Sequence, residues 1–357
     1  MSAQWVREGR KAAADAEGGE EPAARLRLAT PLGQGEVLQR WVQLARRHTL
    51  PHGFLVDGPR GSGKTTVVRY LAAALLCPSG LDTEAPCGVC RTCTRIANGL
   101  HPDVHLLERA QSEQDKKTWG KLKSFYVITV DQVRAGQDAL ARHAVEGKAR
   151  VLVIDDADCL DEEGQNALLK TLEEPGRSTF LLLEASRPEQ LLPTVRSRLQ
   201  RLRVRPLDET TLRRELSRRE PETSMHHELA VQLAQGSLGA AMLVCTERVV
   251  QLHDLVQAML RAPDRLRPVA TARAALAGTA ERWQELEAAR TFLWVLRAVL
   301  VQQGLHLAAD GDSTYGAART EPWTTWLERT LAAERDLDLL IPAEQVLTAC
   351  LVSFVAG

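Results

Sequence analysis

Apolar residues in the first half of the chain follow two alternating patterns. GFLVDGP, residues 53–59, is a short apolar run closed by a glycine turn, which is typical of a buried strand. KTTVVRYLAAALL, residues 64–76, places apolar side chains at helical spacing and predicts a helix with one apolar face. A strand, a glycine-rich loop and a helix are therefore expected in succession.

The same alternation continues further along the chain. RVLVIDDAD, residues 150–158, has the nearly continuous Val, Leu and Ile content of a parallel strand that is covered on both faces. EEGQNALLKTLEEPG, residues 162–176, predicts a helix stopped by Pro175, and STFLLLEAS, residues 178–186, predicts another buried strand. Alternating strands and helices predict an α/β fold with a doubly wound parallel sheet.

Helical spacing dominates from about Pro206 onwards. One side of the helix predicted for residues 281–305 collects these apolar residues: Trp283, Leu286, Leu293, Leu296 and Leu300. Such a stripe is far more often packed core than a cofactor contact. The second half is therefore predicted to be helical, with boundaries near residues 205 and 250.

Length and composition limit the class of protein. At 357 residues the chain exceeds the usual size of one domain, so two or three compact units are expected. Hydrophobic content of 44% and charged content of 25% are ordinary for a globular protein, and no apolar run approaches the ~18 residues that span a bilayer. The net charge of −1 argues against a globally basic nucleic-acid surface, so DNA contacts should be local or shared with partners.

Residues 1–27 are charged and rich in small side chains. This composition predicts a disordered tail and does not resemble a secretory signal. We therefore expect a cytoplasmic protein without a membrane anchor. In that reducing compartment clustered thiols favour metal binding over disulfides.

The segment GPRGSGKTT carries the residues that a nucleotide-binding loop needs. Its pattern is Gly58-x-x-x-x-Gly63-Lys64-Thr65. The glycines let successive backbone N–H groups converge on phosphate oxygens, Lys64 supplies a point charge, and the Thr65 hydroxyl can ligate Mg²⁺. The strand before the loop and the helix after it favour nucleotide binding over the alternative, a degenerate loop kept for its turn.

An acidic residue at a strand end is needed to hold the metal of such a site, and Asp155 is the candidate. Asp156 follows, at the position of a base that orients the attacking water. Because an aspartate is one methylene shorter than a glutamate, its carboxylate should reach the water poorly and turnover should be slow. The alternative is an acidic loop that caps the next helix.

Four cysteines crowd into one short stretch: Cys77, Cys87, Cys90 and Cys93. Ligands two residues apart can bind one ion through a tight turn, and four thiolates complete a tetrahedral zinc shell with no open position. A closed shell indicates a structural role. Free thiols remain the alternative, whereas a redox role is disfavoured because a dithiol enzyme needs one exposed pair.

Taken together, an ordered set of segments resembles a known family. The set is HGFLVDGPRGSGKTT, the four-cysteine module, HPDVHLLE, ITVDQVR, VLVIDDAD, NALLKTLEEP and LLPTVRSRL. In this order, from Thr30 to Pro206, the segments resemble the bacterial DNA polymerase III clamp-loader subunits of the AAA+ superfamily. The helical remainder is similar to that family only in character.

The resemblance implies an architecture and partners. It implies a RecA-like AAA+ domain over residues 28–205 with the zinc module at 77–93, a small helical lid over 206–250, and an all-α collar over 251–357. Five subunits, including gamma/tau and delta, would form an open ring through the collar. By this resemblance, the hetero-pentamer would bind ATP and load the sliding clamp on primer–template DNA.

The resemblance also assigns roles to particular residues. By position, Asp155 and Asp156 match the Walker B pair, and Ser186 lies near the sensor 1 position. Arg198 matches the arginine finger, which acts in trans on ATP bound by the adjacent subunit. Without the family resemblance, the favoured alternative is a surface arginine paired with an acid. The Walker A loop, Gly58 to Thr66, includes these residues: Gly58, Pro59, Gly61, Gly63, Lys64, Thr65 and Thr66.

This chain departs from the family pattern at two places. Leu199 replaces the cysteine that follows the finger arginine, and Gly239 and Ala240 stand where motor subunits carry an arginine in the lid. Without that cation the γ-phosphate lacks a contact, so hydrolysis is expected to be weak. These features favour a delta prime-type stator, with a gamma/tau-type motor as the alternative. A stand-alone kinase is not supported, because nothing in the sequence suggests an acceptor-binding domain. Residues 110–124 are expected to form an exposed loop.

Overall fold

Two compact units make up the chain, with the division between Leu207 and Asp208. The computed structural model describes residues 27–46, 50–79, 86–109, 127–146, 149–262, 266–280, 282–309, 316–339 and 341–355. The predicted disordered tail, apart from Arg27, and the predicted loop at 110–124 lie outside the described residues.

A five-stranded parallel sheet forms the centre of the first unit. Its strands are β1 (Gly53–Asp57), β2 (Val104–Leu107), β3 (Arg150–Ile154), β4 (Thr179–Ala185) and β5 (Gln200–Arg203). Their spatial order is β2-β3-β4-β1-β5, and every neighbouring pair is parallel. The prediction of a parallel α/β sheet is confirmed, and the topology fits the AAA+ fold that the resemblance implies.

Helices cover both faces of this sheet. They are α1 (Gly35–Arg46), α2 (Lys64–Leu76), α3 (Arg91–Ala97), α4 (Val130–Ala141), α5 (Glu162–Glu173) and α6 (Pro193–Arg196). Because successive side chains of a strand point to opposite faces, Phe54 and Val56 join one buried cluster while Leu55 joins another. The first cluster includes residues of α1, α2 and α3, and the second includes residues of α4, α5 and α6. As predicted, α2 begins at Lys64 and α5 ends before Pro175.

The described part of the second unit is helical. Its helices are α7 (Glu209–Arg219), α8 (His227–Ala234), α9 (Leu238–Val244), α10 (Glu247–Arg261), α11 (Pro268–Ala275), α12 (Arg282–Ala309), α13 (Gly316–Asp338) and α14 (Ala343–Val355). Four residues of the predicted stripe on α12 are core, since Leu286, Leu293, Leu296 and Leu300 are all buried, and the side chain of Trp283 lies outside the described part of the structure.

The sequence predicts two domain boundaries in this part of the chain, near residues 205 and 250. The boundary near 205 lies close to the division after Leu207. Residue 250 lies within α10, so a lid and a collar separated there would share one continuous helix. Across the described residues, no helix combines the length and apolar character needed to cross a membrane.

Candidate nucleotide-binding site and cysteine cluster

Three adjacent strands bring the predicted nucleotide-binding residues to one edge of the sheet. The phosphate loop follows β1, Asp155 follows β3, and Ser186 follows β4, which lies between them. In parallel sheets, ligands bind in the crevice outside the carboxyl ends of the strands. The topology therefore collects residues that are more than a hundred positions apart in sequence.

The phosphate loop has the backbone conformation that its glycines allow. Gly61 and Gly63 have φ angles of 72° and 94°, in the left-handed region that residues with a Cβ rarely adopt. Lys64 opens α2, so the loop presents backbone N–H groups and the positive end of the helix dipole to the same place. Thr66 lies half-buried in the first turn of α2.

Lys64 is held in place by three oxygen atoms. Its Nζ donates to the carbonyls of Gly58 and Pro59, at 3.0 Å each, and to Ser186 Oγ at 2.9 Å. Ser186 is fixed in turn because its backbone N–H donates to Asp158 Oδ1 at 3.2 Å. The lysine and the sensor 1 candidate are thus brought together directly.

Thr65 and Asp155 line the same small cavity, which lies alongside α2. The Thr65 hydroxyl donates to Glu184 Oε2 at 2.9 Å. Asp155 is only 8% exposed and lies at the end of β3. Glu184, on β4, therefore lies beside the two predicted cation-binding residues, and no sequence motif had predicted it.

The electrostatics of this edge are strongly perturbed by burial. Burial lowers the pKa of Lys64, and the surrounding carboxylates, led by Glu184, act in the opposite direction. Burial and the neighbouring charge of Asp155 raise the pKa of Glu184 to about 8. Such clustered perturbation is typical of a site prepared for a charged ligand.

Asp156 has a strong partner that the sequence did not predict. Its Oδ2 accepts hydrogen bonds from Arg109 Nε at 3.0 Å and from Arg109 Nη2 at 2.6 Å. Burial would raise the pKa of Asp156, but the Arg109 and Arg60 guanidinium groups hold it at about 2. The carboxylate is therefore ionised, and Arg109 holds one of its oxygens.

Arg198 lies on the surface, in the turn after α6. Its Nη1 donates to the Thr194 carbonyl at 2.8 Å, and its Nη2 donates to Glu173 Oε1 at 2.6 Å. Neither partner belongs to the phosphate loop of the same chain. The ion pair is solvent-exposed, which is the kind that contributes little to stability.

The four clustered cysteines converge on one point. Their sulfur atoms all lie within 4.8 Å of one another. The Sγ–Sγ distances are 3.7 Å for Cys77–Cys87, 3.8 Å for Cys77–Cys90 and 4.0 Å for Cys87–Cys93. Zn–S bonds of about 2.3 Å in a tetrahedron place sulfurs about 3.8 Å apart. The cluster therefore fits one tetrahedral metal ion.

Backbone N–H groups support thiolates in this cluster. The N–H of Cys90 donates to Cys87 Sγ at 3.3 Å, and that of Cys93 donates to Cys90 Sγ at 3.4 Å. The N–H groups of Val89 and Cys90 lower the pKa of the Cys87 thiol to about 6. Cys77 is the C-terminal cap of α2, so the cluster adjoins the helix that begins at the phosphate loop.

Sequence reasoning missed two charged residues of the site. Glu184 had a signal, because it is a lone carboxylate in an otherwise apolar strand, FLLLEA, and such a residue must find a buried partner. Arg109 had none, since its contact with Asp156 spans 47 positions.

Comparisons with known proteins agree with the architecture of the first unit. Residues 33–208 match the family described as "DNA polymerase III, delta subunit". The DNA polymerase III subunit delta' of Pseudomonas aeruginosa is 37% identical over 158 residues, which are 44% of this chain and 44% of that protein. The DNA polymerase III subunit tau of Escherichia coli is 30% identical over 289 residues, 77% of this chain and 42% of that protein. The alignments thus span less than half the length of either relative.

A solved structure gives a weaker likeness. The DNA polymerase III gamma subunit-related protein of Thermotoga maritima is 15% identical, with a TM-score of 0.45 over 90% of this chain and 99% of that one. Residues 33–208 are thus similar to the delta' and gamma/tau subunits of DNA polymerase III.

Proposed function

We propose that this protein is a delta prime-type subunit of the DNA polymerase III clamp loader. In this role it binds Mg·ATP, hydrolyses it slowly on its own, and supplies Arg198 to ATP held by a neighbouring subunit. The observation that carries the proposal is a complete phosphate loop whose candidate base, Asp156, is bound by Arg109.

Nucleotide binding rests on groups that already converge. Lys64 would exchange its bonds with the Gly58 and Pro59 carbonyls for phosphate oxygens, because charge-assisted bonds to an anion are stronger. Thr65 and Asp155 would hold Mg²⁺, which neutralises phosphate charge when bound. Ser186, bonded to Lys64, would keep the lysine aligned.

Slow hydrolysis follows from the surroundings of Asp156. A general base must accept a proton, and a carboxylate with a pKa near 2 has little tendency to do so. Arg109 also occupies Oδ2 of this carboxylate, which leaves one oxygen for a water molecule. The start of α9 adds no cation, since Gly239 and Ala240 occupy the positions where a motor subunit has its lid arginine.

Arg198 suits a role in trans. It is exposed, and its ion pair with Glu173 can be exchanged at little energetic cost for a phosphate of a neighbouring subunit. A guanidinium placed beside a γ-phosphate stabilises the charge that develops during transfer. Hydrolysis at the neighbouring site would then depend on assembly.

The partners follow from this role. We infer a hetero-pentamer with gamma/tau and delta subunits that opens the sliding clamp and places it on primer–template DNA. Residues 206–250 would act as a lid and residues 251–357 as the collar. The net charge of −1 is consistent with DNA contacts made through the assembly.

Zinc is the ion that we propose for the cysteine cluster. Four thiolates at tetrahedral spacing leave no open position, so its role would be structural. Elemental analysis of protein purified without chelator should find one zinc per chain, bound by Cys77, Cys87, Cys90 and Cys93. Absence of zinc together with four freely titratable thiols in this cluster would contradict the assignment.

A gamma/tau-type motor is the second candidate, because the Walker A residues are complete and gamma/tau proteins are among the relatives. Reconstitution with the other loader subunits separates the two. If this subunit is a stator that hydrolyses ATP slowly, a loader that contains its Lys64→Ala variant should still load clamps. A motor should lose most of its own ATP turnover with that change, and brisk turnover by the isolated chain would also favour the motor.

A further inference from the structure

Glu184 is a buried acidic residue to which the proposed function assigns no role. It is 1% exposed and lies one residue before the end of β4, in register with Val56 of β1. Its Oε2 accepts the Thr65 hydroxyl at 2.9 Å. Its Oε1 is buried and has no hydrogen-bond partner within the described structure.

A buried carboxylate oxygen without a partner is unfavourable unless a ligand satisfies it. Glu184 lines the same cavity as Thr65 and Asp155, the two groups proposed to hold Mg²⁺. The other walls of this cavity are largely apolar, with Arg69 of α2 as a further charged group. Glu184, whose Oε1 is unsatisfied, therefore lies beside the two residues proposed to hold the cation.

The chemistry of Mg²⁺ fits this arrangement. In nucleotide sites the ion is bound by one or two carboxylates together with phosphate oxygens, and it keeps several water molecules. Asp155 supplies one carboxylate, and Glu184 would supply a second, directly or through a water of the ion. Arg69 interacts electrostatically with both carboxylates, and its fixed positive charge partly compensates them before the ion binds.

We propose that Glu184 is a component of the divalent-cation site and makes nucleotide binding depend on the cation. A second carboxyl group beside the phosphates favours a nucleotide that carries a divalent ion over the bare polyanion. This inference rests on the proposed binding of Mg·ATP. It adds an acidic ligand from β4 to the pair supplied by the phosphate loop and β3.

Isothermal titration calorimetry of the full chain tests the idea. ATP affinity is measured with Mg²⁺ and with EDTA, for the unchanged protein and for Glu184→Gln. The glutamine keeps an acceptor for Thr65 but removes the charge. The ratio of the two affinities should fall by roughly tenfold in Glu184→Gln, because one full charge close to the ion is lost.

Glu189→Gln is the matched control, since Glu189 is an exposed carboxylate five positions along the chain. Its affinity ratio should equal that of the unchanged protein. Glu184→Ala, measured alongside, removes the carboxylate without leaving an amide, so the test survives a folding defect in one variant. Circular dichroism identifies such a defect.

The outcomes separate this inference from the proposed function. If the unchanged protein binds no Mg·ATP, the proposed function itself fails, and this inference with it. If it binds Mg·ATP and the ratio is the same in a folded Glu184 variant, Glu184 is not part of the cation site and only this inference fails. A second readout is Mn²⁺ binding in the presence of ATP, followed by electron paramagnetic resonance, which should weaken in Glu184→Gln and not in Glu189→Gln.

Discussion

The site at the carboxyl ends of the strands and the turn that carries Arg198 differ in how far their charged groups are exposed to solvent. Lys64 is buried and bonded to three oxygens of its own unit, whereas Arg198 is exposed and shares a surface ion pair with Glu173. Burial holds the charge of Lys64 in place for a ligand that this chain itself binds. Exposure leaves a charge available to another molecule, because a surface ion pair is exchanged at little energetic cost.

The largest expected effect tests the buried side of this comparison. Lys64→Ala should weaken Mg·ATP binding by the isolated chain at least about a hundredfold, because charge-assisted bonds to phosphate are lost. Calorimetry measures the affinity. Arg196→Ala, an exposed arginine two positions from Arg198, is the control and should bind ATP normally. Near-normal affinity in a folded Lys64 variant would mean that the loop does not bind phosphate through this lysine.

Arg198→Ala tests the exposed side. ATP binding by the isolated chain should change by less than about twofold, while ATP turnover of the assembled loader should fall at least about tenfold, because the guanidinium acts on a neighbouring phosphate. Steady-state ATPase assays with and without the other subunits measure this. Arg196→Ala again serves as the control. A binding defect that is already present in the isolated subunit would show that Arg198 acts in cis or in folding.

Arg109→Gln should have a smaller effect of the opposite sign. Freed from its ion pair, Asp156 can accept a proton more readily, so single-turnover hydrolysis by the isolated chain should rise about threefold. Arg187→Gln is the control, because it removes a similar arginine from the neighbouring Asp158. Equal rates in both variants would indicate that Arg109 does not restrain Asp156.

The smallest effect is expected for Glu173→Gln. Because the Arg198–Glu173 pair is exposed, its loss should change the free energy of unfolding by less than about 0.5 kcal/mol. Loader turnover should stay within about twofold of normal. Chemical denaturation and the ATPase assay measure the two quantities. A strong loss of turnover would reveal that Glu173 orients the arginine, and the contrast between the two regions would then weaken.

Local patterns made much of the fold predictable. The strands β1, β3 and β4 were visible because buried parallel strands are continuous apolar runs, and α2 because its start is fixed by the glycines before it. The edge strand β5 was not predicted. Its sequence, QRLR, is mostly exposed, and it forms through backbone pairing with β1.

The candidate site was predictable where a motif concentrates it. The phosphate loop and the four cysteines have diagnostic spacing, so their grouping could be inferred without a structure. The bonds between Thr65 and Glu184 and between Asp156 and Arg109 span 119 and 47 positions. Such contacts depend on the order of strands in the sheet, which no local pattern contains.

Helix α2 joins the two sites that a motif revealed. It begins at Lys64 and is capped at its other end by Cys77. At about 1.5 Å per residue, a nucleotide at one end and a metal ion at the other would be about 20 Å apart. With paramagnetic Co²⁺ in place of zinc, the phosphorus resonances of bound ATP would relax faster by an amount set by this distance. Helix α2 therefore fixes a distance that magnetic resonance can measure.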